Sequence, residues 1–208
     1  MCQTHEVLVS HSNNTKPERR HYSVDAIVLA GGEARRMGGR DKGLMQWRDK
    51  ALIAHVLSRI APQVDRIAIS ANRSLTRYRE LGFEVYQDIR SGFQGPLAGI
   101  EACVTFCRAD YTLIVSCDMP LLPADLTERL ANTLDASAVT ATFVDDGERQ
   151  HYLCALVKTP ELATISAYLD GNQRSVRAWL GEIGAKETSF SDNSSAFHNI
   201  NQPDDIKV

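Results

Sequence analysis

The stretch 25–44 reads DAIVLAGGEARRMGGRDKGL, and it constrains the fold more than any other part of the chain. Its apolar run 26–30 shows no polar alternation, which is the pattern of a strand covered on both faces. The run stops at Gly31-Gly32, and a loop carrying Arg35, Arg36, Arg40 and Lys42 follows. Small residues at a strand end let the backbone approach a ligand closely. Four cations within eight residues supply charge for a polyphosphate. The expectation is a nucleotide-phosphate loop at the mouth of an α/β sheet.

The following segments repeat the theme. RIAISA (66–71) stops at Asn72, FEVYQ (83–87) at Asp88, and YTLIVSC (111–117) at Asp118. Between them, Leu52, Ile53, Val56, Leu57 and Ile60 form a helical stripe ended by Pro62. A short helix at 74–81 is closed by Gly82, and one at 96–106 has Pro96 near its start. Strand and helix in alternation predict right-handed βαβ units and a mainly parallel sheet. The second half is less regular: a helix at 122–134 behind Pro123, then strands at 139–144 and 152–157. Asp146-Gly147 in their connection predicts an antiparallel excursion. Helices near 160–170 and 174–184 follow, and the ending FHNINQPDDIKV reads as a short strand and a proline-initiated turn. Residues 1–22 are polar and aperiodic and read as a tail; 23–208 read as a single domain.

Composition narrows the function class. A chain of 208 residues can bury one core, and a net charge of -3 argues against a broad basic nucleic-acid face. No apolar run approaches the ~18–20 residues of a membrane helix, and the first residues lack a secretory pattern. The five cysteines, Cys2, Cys103, Cys107, Cys117 and Cys154, are odd in number and scattered. Reduced thiols and a cytoplasmic location are expected, with Cys103 and Cys107 as buried thiols rather than a metal pair. His5, His11 and His21 fit no ligand geometry.

In open parallel sheets, ligands bind at the carboxyl ends of the strands. That edge should collect Gly31-Gly32, Asn72, Asp88 and Asp118, with no histidine or cysteine at the rim. The patterns G-x-x-x-x-G-K-[ST] and G-x-G-x-x-G are both missing after the first strand, which lowers ATPase and dehydrogenase readings. Asp118, in SCDMPLLP, suits a Mg²⁺ ion bridging phosphate oxygens; it equally suits an Asx-turn before Pro120. Lys42 and Arg36 could neutralise charge on a phosphoryl centre and its departing pyrophosphate. Asn72 could read a base or ribose edge, or cap the next turn.

LAGGEARRMGGRDKGL (29–44), SANR (70–73), GPLAGI (95–100), CDMPLLP (117–123) and NINQPDD (199–205) together resemble the MobA family of molybdenum cofactor guanylyltransferases. The resemblance spans about 25–205 with the motifs in order. It implies a Rossmann-like three-layer αβα nucleotidyltransferase with a mostly parallel sheet, whose N-terminal half binds GTP and whose C-terminal half binds molybdopterin. Such an enzyme joins GMP from GTP to molybdopterin or molybdenum-molybdopterin, releases pyrophosphate, and meets molybdoenzyme maturation proteins at handover. Carried over by position, the nucleotide contacts are Leu29, Ala30, Gly31 and Gly32, with Lys42 and Arg36 on the phosphates. Asn72 and Asp88 match positions near the nucleoside, Asp118 the magnesium aspartate, and Asn199 and Asn201 the pterin contacts. DGERQHYL (146–153) resembles the acceptor-side loop, with Arg149 a candidate contact, but Tyr152 stands where a proline is expected. The rival readings are the cytidylyltransferase for the same cofactor, a sugar-phosphate nucleotidylyltransferase, and a non-catalytic nucleotide-binding adaptor.

Overall fold

Strand β1 (Val24–Leu29) sends Val24, Ala26 and Val28 into one apolar cluster, and Ile27 and Leu29 into another. This period of two, with every residue apolar or ion-paired, is what forces a sheet with helices on both faces. The computed structural model describes residues 22–32 and 41–200. Most of the expected tail, Arg35, Arg36, Arg40 and Asn201 fall outside those residues.

After a small antiparallel pair, β2 (Gln46–Trp47) and β3 (Lys50–Ala51), comes helix α1 (Leu52–Ile60). Its buried residues Leu52, Ile53, Val56, Leu57 and Ile60 are the stripe read from the sequence. Next in order are β4 (Arg66–Ser70), α2 (Leu75–Arg79), β5 (Glu84–Tyr86), α3 (Pro96–Cys103), β6 (Tyr111–Ser116) and α4 (Leu126–Ser137). The chain continues through β7 (Ala141–Asp145), β8 (Gln150–Lys158), α5 (Thr164–Asp170), α6 (Val176–Glu182) and β9 (Lys186–Ser189). One seven-stranded sheet results, in the order β5-β4-β1-β6-β8-β7-β9. β8 alone runs antiparallel to its neighbours, β6 and β7. The expected fold class, a mostly parallel α/β sandwich with a small antiparallel part, is the observed one. One face carries α1, α2 and α4; the other carries α3, α5 and α6.

The structure corrects three details. Residues 197–200 are not a strand: Ser191–Phe197 is a 3-10 segment followed by extended chain. The last strand lies earlier, at β9, a polar edge strand (KETS) with one buried residue and so no apolar alternation to read. Helix α4 begins at Leu126 rather than near 122, because Pro120 and Pro123 hold the preceding segment in turns.

Candidate active site

The parallel register aligns the strand ends. Leu29 pairs with Ser70 on one side and Ser116 on the other, and Ser70 pairs with Tyr86. Gly31-Gly32, Asn72, Asp88 and Asp118 therefore all follow their strands at one edge. A cleft of about 300 Å³ opens there, lined by Gly31, Gly32, Asn72, Asp88, Phe93 and Gly95 among others. Its floor is backbone for steric reasons. A Cβ on Gly31 would lie 3.1 Å from the Asn72 amide nitrogen, and one on Gly99 would lie 2.4 Å from the Ser70 hydroxyl. Leu29 and Ser116 also line the cleft.

Asn72 and Asp88 form one unit. Asn72 Nδ2 donates to Asp88 Oδ2 at 2.9 Å, and the Asp88 N–H donates to Asn72 Oδ1 at 3.0 Å. Asn72 thus braces Asp88 across two strand ends and does not cap α2, whose preceding Ser74 makes no side-chain cap either. The second oxygen, Asp88 Oδ1, is buried without a hydrogen-bond partner among the described residues. Burial pushes this carboxyl above its ordinary range; the Asn72 bond opposes the shift, and Glu101 adds to it. Beyond Asp88, Arg90 clamps the loop with two 2.7 Å bonds to Glu101 and one of 2.7 Å to Asp170.

Lys42 and Asp118 form the second unit. Lys42 opens a short 3-10 turn, Lys42–Leu44, and its Nζ lies 2.5 Å from Asp118 Oδ2. Asp118 is placed by the sheet itself: the Cys117 N–H still donates to Leu29 O at 3.0 Å, and the turn follows at once. The carboxylate binds Lys42 rather than a turn N–H, which decides against the Asx-turn alternative. Its other oxygen, Oδ1, is buried with no partner among the described residues. An orphaned carboxylate oxygen fits a hard cation. No group of three or more His, Cys, Asp and Glu able to hold a metal occurs among the described residues, so substrate or water oxygens would have to complete the shell.

The C-terminal segment reaches the same place. The Ile200 N–H donates to Asp118 O at 3.0 Å, which sets exposed Asn199 beside the metal candidate. Arg149 is exposed on the turn between β7 and β8, where its N–H and that of Glu148 donate to Asp146 Oδ1 at 2.7 and 2.8 Å.

Among the described residues that line the cleft there is no histidine or cysteine, but both residue types reach the same end of the sheet. His151, at the start of antiparallel β8, and Asp146, just past parallel β7, meet at this edge with Nε2 and Oδ2 2.6 Å apart. Both are buried. Burial would raise the Asp146 carboxyl, but His151 and the Arg149 and Glu148 N–H groups hold it below its ordinary range. Cys117 is also at the edge, and burial pushes its thiol well up, so it stays protonated. Cys103, Cys107, Cys117 and Cys154 are all free and buried, which was expected of Cys103 and Cys107. The sequence reading also missed Phe93, which is 50% exposed yet lines the cleft. Its signal was an aromatic between Gly92 and Gly95, where no core position is available.

The model of the MobA-like NTP transferase domain matches residues 26–187. The chain belongs to this family. It is 43% identical over 181 residues to a molybdenum cofactor guanylyltransferase of Shewanella woodyi, covering 87% of this chain and 92% of that one. Among solved structures it is similar to molybdopterin-guanine dinucleotide biosynthesis protein A of Archaeoglobus fulgidus, at 21% identity and a TM-score of 0.70, covering 88% and 95% of the two chains. It also shares its fold with 2-C-methyl-D-erythritol 4-phosphate cytidylyltransferase of Thermus thermophilus, at 10% identity and a TM-score of 0.65, covering 86% and 94%. No helix among the described residues is long and apolar enough to cross a membrane.

Proposed function

We propose that this chain transfers GMP from GTP to molybdopterin or its molybdenum form, giving molybdopterin guanine dinucleotide and pyrophosphate. The observation that carries the reading is the Lys42–Asp118 pair beside a glycine-floored cleft, in a chain 43% identical to a guanylyltransferase. Leu29, Ala30, Gly31 and Gly32 would wall the nucleotide, with Asn72 and Asp88 at its nucleoside end. Lys42, helped by Arg36, would lie on the phosphates. Asn199, Asn201 and Arg149 would hold the acceptor.

Asp118 would hold a Mg²⁺ ion through its unpartnered oxygen, and the ion would supply positive charge against the phosphates. The acceptor's terminal phosphate oxygen attacks the α-phosphorus of GTP. A new P–O bond forms at the α-phosphorus as its bond to the α,β-bridging oxygen breaks, and that electron pair leaves with pyrophosphate. A phosphate oxygen is already ionised near pH 7, so the step asks for no general base. His151, buried and committed to Asp146, has no part in it. What the residues supply is alignment and charge stabilisation.

Pyrophosphate release in the presence of GTP and Mg²⁺, with and without molybdopterin, tests the reading. Release that needs molybdopterin, with GTP far better than CTP or ATP, is expected. Equal release with CTP would move the assignment to the cytidylyltransferase. GTP binding without any release would leave an adaptor.

A further inference from the structure

Tyr78, on α2, is fully buried, and a buried phenol needs a partner for its O–H. That partner is Asp41 Oδ1, at 2.5 Å. Asp41 immediately precedes Lys42, and the turn they open is pinned elsewhere as well. Leu44 N–H donates to Asp41 O at 3.2 Å, Met45 N–H donates to Lys42 O at 3.1 Å, and Leu52 N–H donates to Met45 O at 2.9 Å. Leu44 is itself buried in the cluster that contains Tyr78. Gly43 completes the fit: a Cβ there would lie 2.6 Å from the Tyr78 hydroxyl and 3.3 Å from Cys117 Sγ. The backbone on either side of Lys42 is thus held by a phenol below and by the strand-end residue Cys117 beside it. Burial, with Cys117 and Asp41 adding to it, pushes the phenol well above its ordinary value, so the hydroxyl remains a donor at any working pH.

We propose that Tyr78 is a positioning residue for the transfer reaction: through Asp41 it fixes the Lys42 turn so that Lys42 Nζ is delivered to Asp118 and to the phosphates bound there. The proposal rests on the guanylyltransferase reading for its consequence in turnover, but its geometric part does not. A bound substrate is not touched by Tyr78; the effect passes through the 41–45 turn. Without the latch, the turn gains freedom and Lys42 samples solvent instead of the phosphate position.

Two variants remove the latch from opposite ends. Tyr78→Phe deletes one hydroxyl from the core and leaves the ring packing. Asp41→Ala deletes the acceptor from a half-buried loop position and leaves the core whole. Each is compared with the wild type by two readouts. The first is acylation of Lys42 by an amine-reactive ester, followed by mass spectrometry with exposed Lys50 as internal control. The second is kcat and KM for molybdopterin in pyrophosphate release. Both variants should speed Lys42 acylation about tenfold without changing Lys50. They should lower kcat about tenfold, the scale of one hydrogen bond to a charged group. KM for molybdopterin should not change, and the double variant should be no worse than either single. Unchanged Lys42 reactivity overturns the proposal, whether or not kcat falls, because a fall alone would be a generic structural loss. Faster acylation with unchanged kcat also overturns it. Faster acylation in a protein whose wild type shows no molybdopterin-dependent release would uphold the latch and sink the functional reading instead.

Discussion

Lys42 Nζ donates to Asp118 Oδ2 at 2.5 Å, joining two residues 76 positions apart in the chain. On the guanylyltransferase reading proposed above, a bound nucleotide would turn the cation to phosphate and the carboxylate to metal. Asp118→Ala is therefore expected to keep its fold, since Lys42 is 24% exposed and can be solvated. It should lose about 10²–10³ in kcat, the usual loss for one preorganised charge contact at a reacting phosphate. Steady-state pyrophosphate release at several Mg²⁺ concentrations checks this. Retention of more than a tenth of wild-type activity would falsify the metal assignment.

Asp88 sets function against stability. Burial raises its folded-state pKa, so stability is full below the ordinary carboxylate range near pH 4 and declines as pH rises through the folded pKa. Asp88→Asn keeps an acceptor for Asn72 and removes the ionisation. Its melting temperature should exceed that of the wild type at pH 7–8, and the gap should close below about pH 4. The same change takes from the cleft a buried carboxylate oxygen that has no partner among the described residues, so GTP affinity should fall. Calorimetric melting over pH, paired with a GTP titration, reads both effects. A variant less stable at pH 8 than the wild type contradicts the burial argument.

The carboxyl edge was legible because each parallel strand ended abruptly at a polar residue, so Asn72, Asp88 and Asp118 could be placed without knowing any contact. What could not be read were interactions across the chain. Nothing in the order of residues says that Asn72 spends its amide on Asp88, or that His151 folds back on Asp146 to share the edge. β9 was missed for a different reason: an edge strand beside β7 needs few buried side chains, and KETS has one. Phe93 was missed because an aromatic in a glycine loop gives no periodicity, although its exposure makes it conspicuous once the fold exists.

Phe93 is half exposed at the cleft, with the Arg73 guanidinium 5.9 Å from its ring centre. A flat apolar face that the core does not use is suited to covering a nucleobase. Phe93→Ala should raise KM for GTP about tenfold and leave kcat nearly unchanged, because the ring contributes equally to ground and transition states. Phe93→Tyr should restore the wild-type KM. If alanine changes neither parameter, the ring does not touch the nucleotide.

At the opposite end of β1, Asp25 is 1% exposed and accepts from Arg66 at 3.0 and 2.6 Å and from the Arg108 and Ala109 N–H groups at 2.7 and 3.0 Å. Burial would raise its pKa, but the Arg66 bonds and the two backbone donors outweigh it and hold the carboxyl below its ordinary value. A lowered folded-state pKa stabilises the protein above the unfolded value near pH 4, and that stability is lost as pH falls through the folded pKa. Asp25→Asn should therefore cost about 2 kcal/mol at pH 7, the scale of hydrogen bonds to a charged group. In a chain of this size, that is a drop of about 4–8 °C in melting temperature. The deficit should shrink steadily as pH falls below about 4, where the unfolded wild-type chain takes up the proton, and on through the lower folded pKa. Because Asp25 lies a strand's length from the cleft, kcat and KM for GTP should match the wild type at temperatures where both are folded. A deficit that stays constant from pH 7 to pH 3 would mean that the carboxylate's charge contributes nothing and only its shape is used.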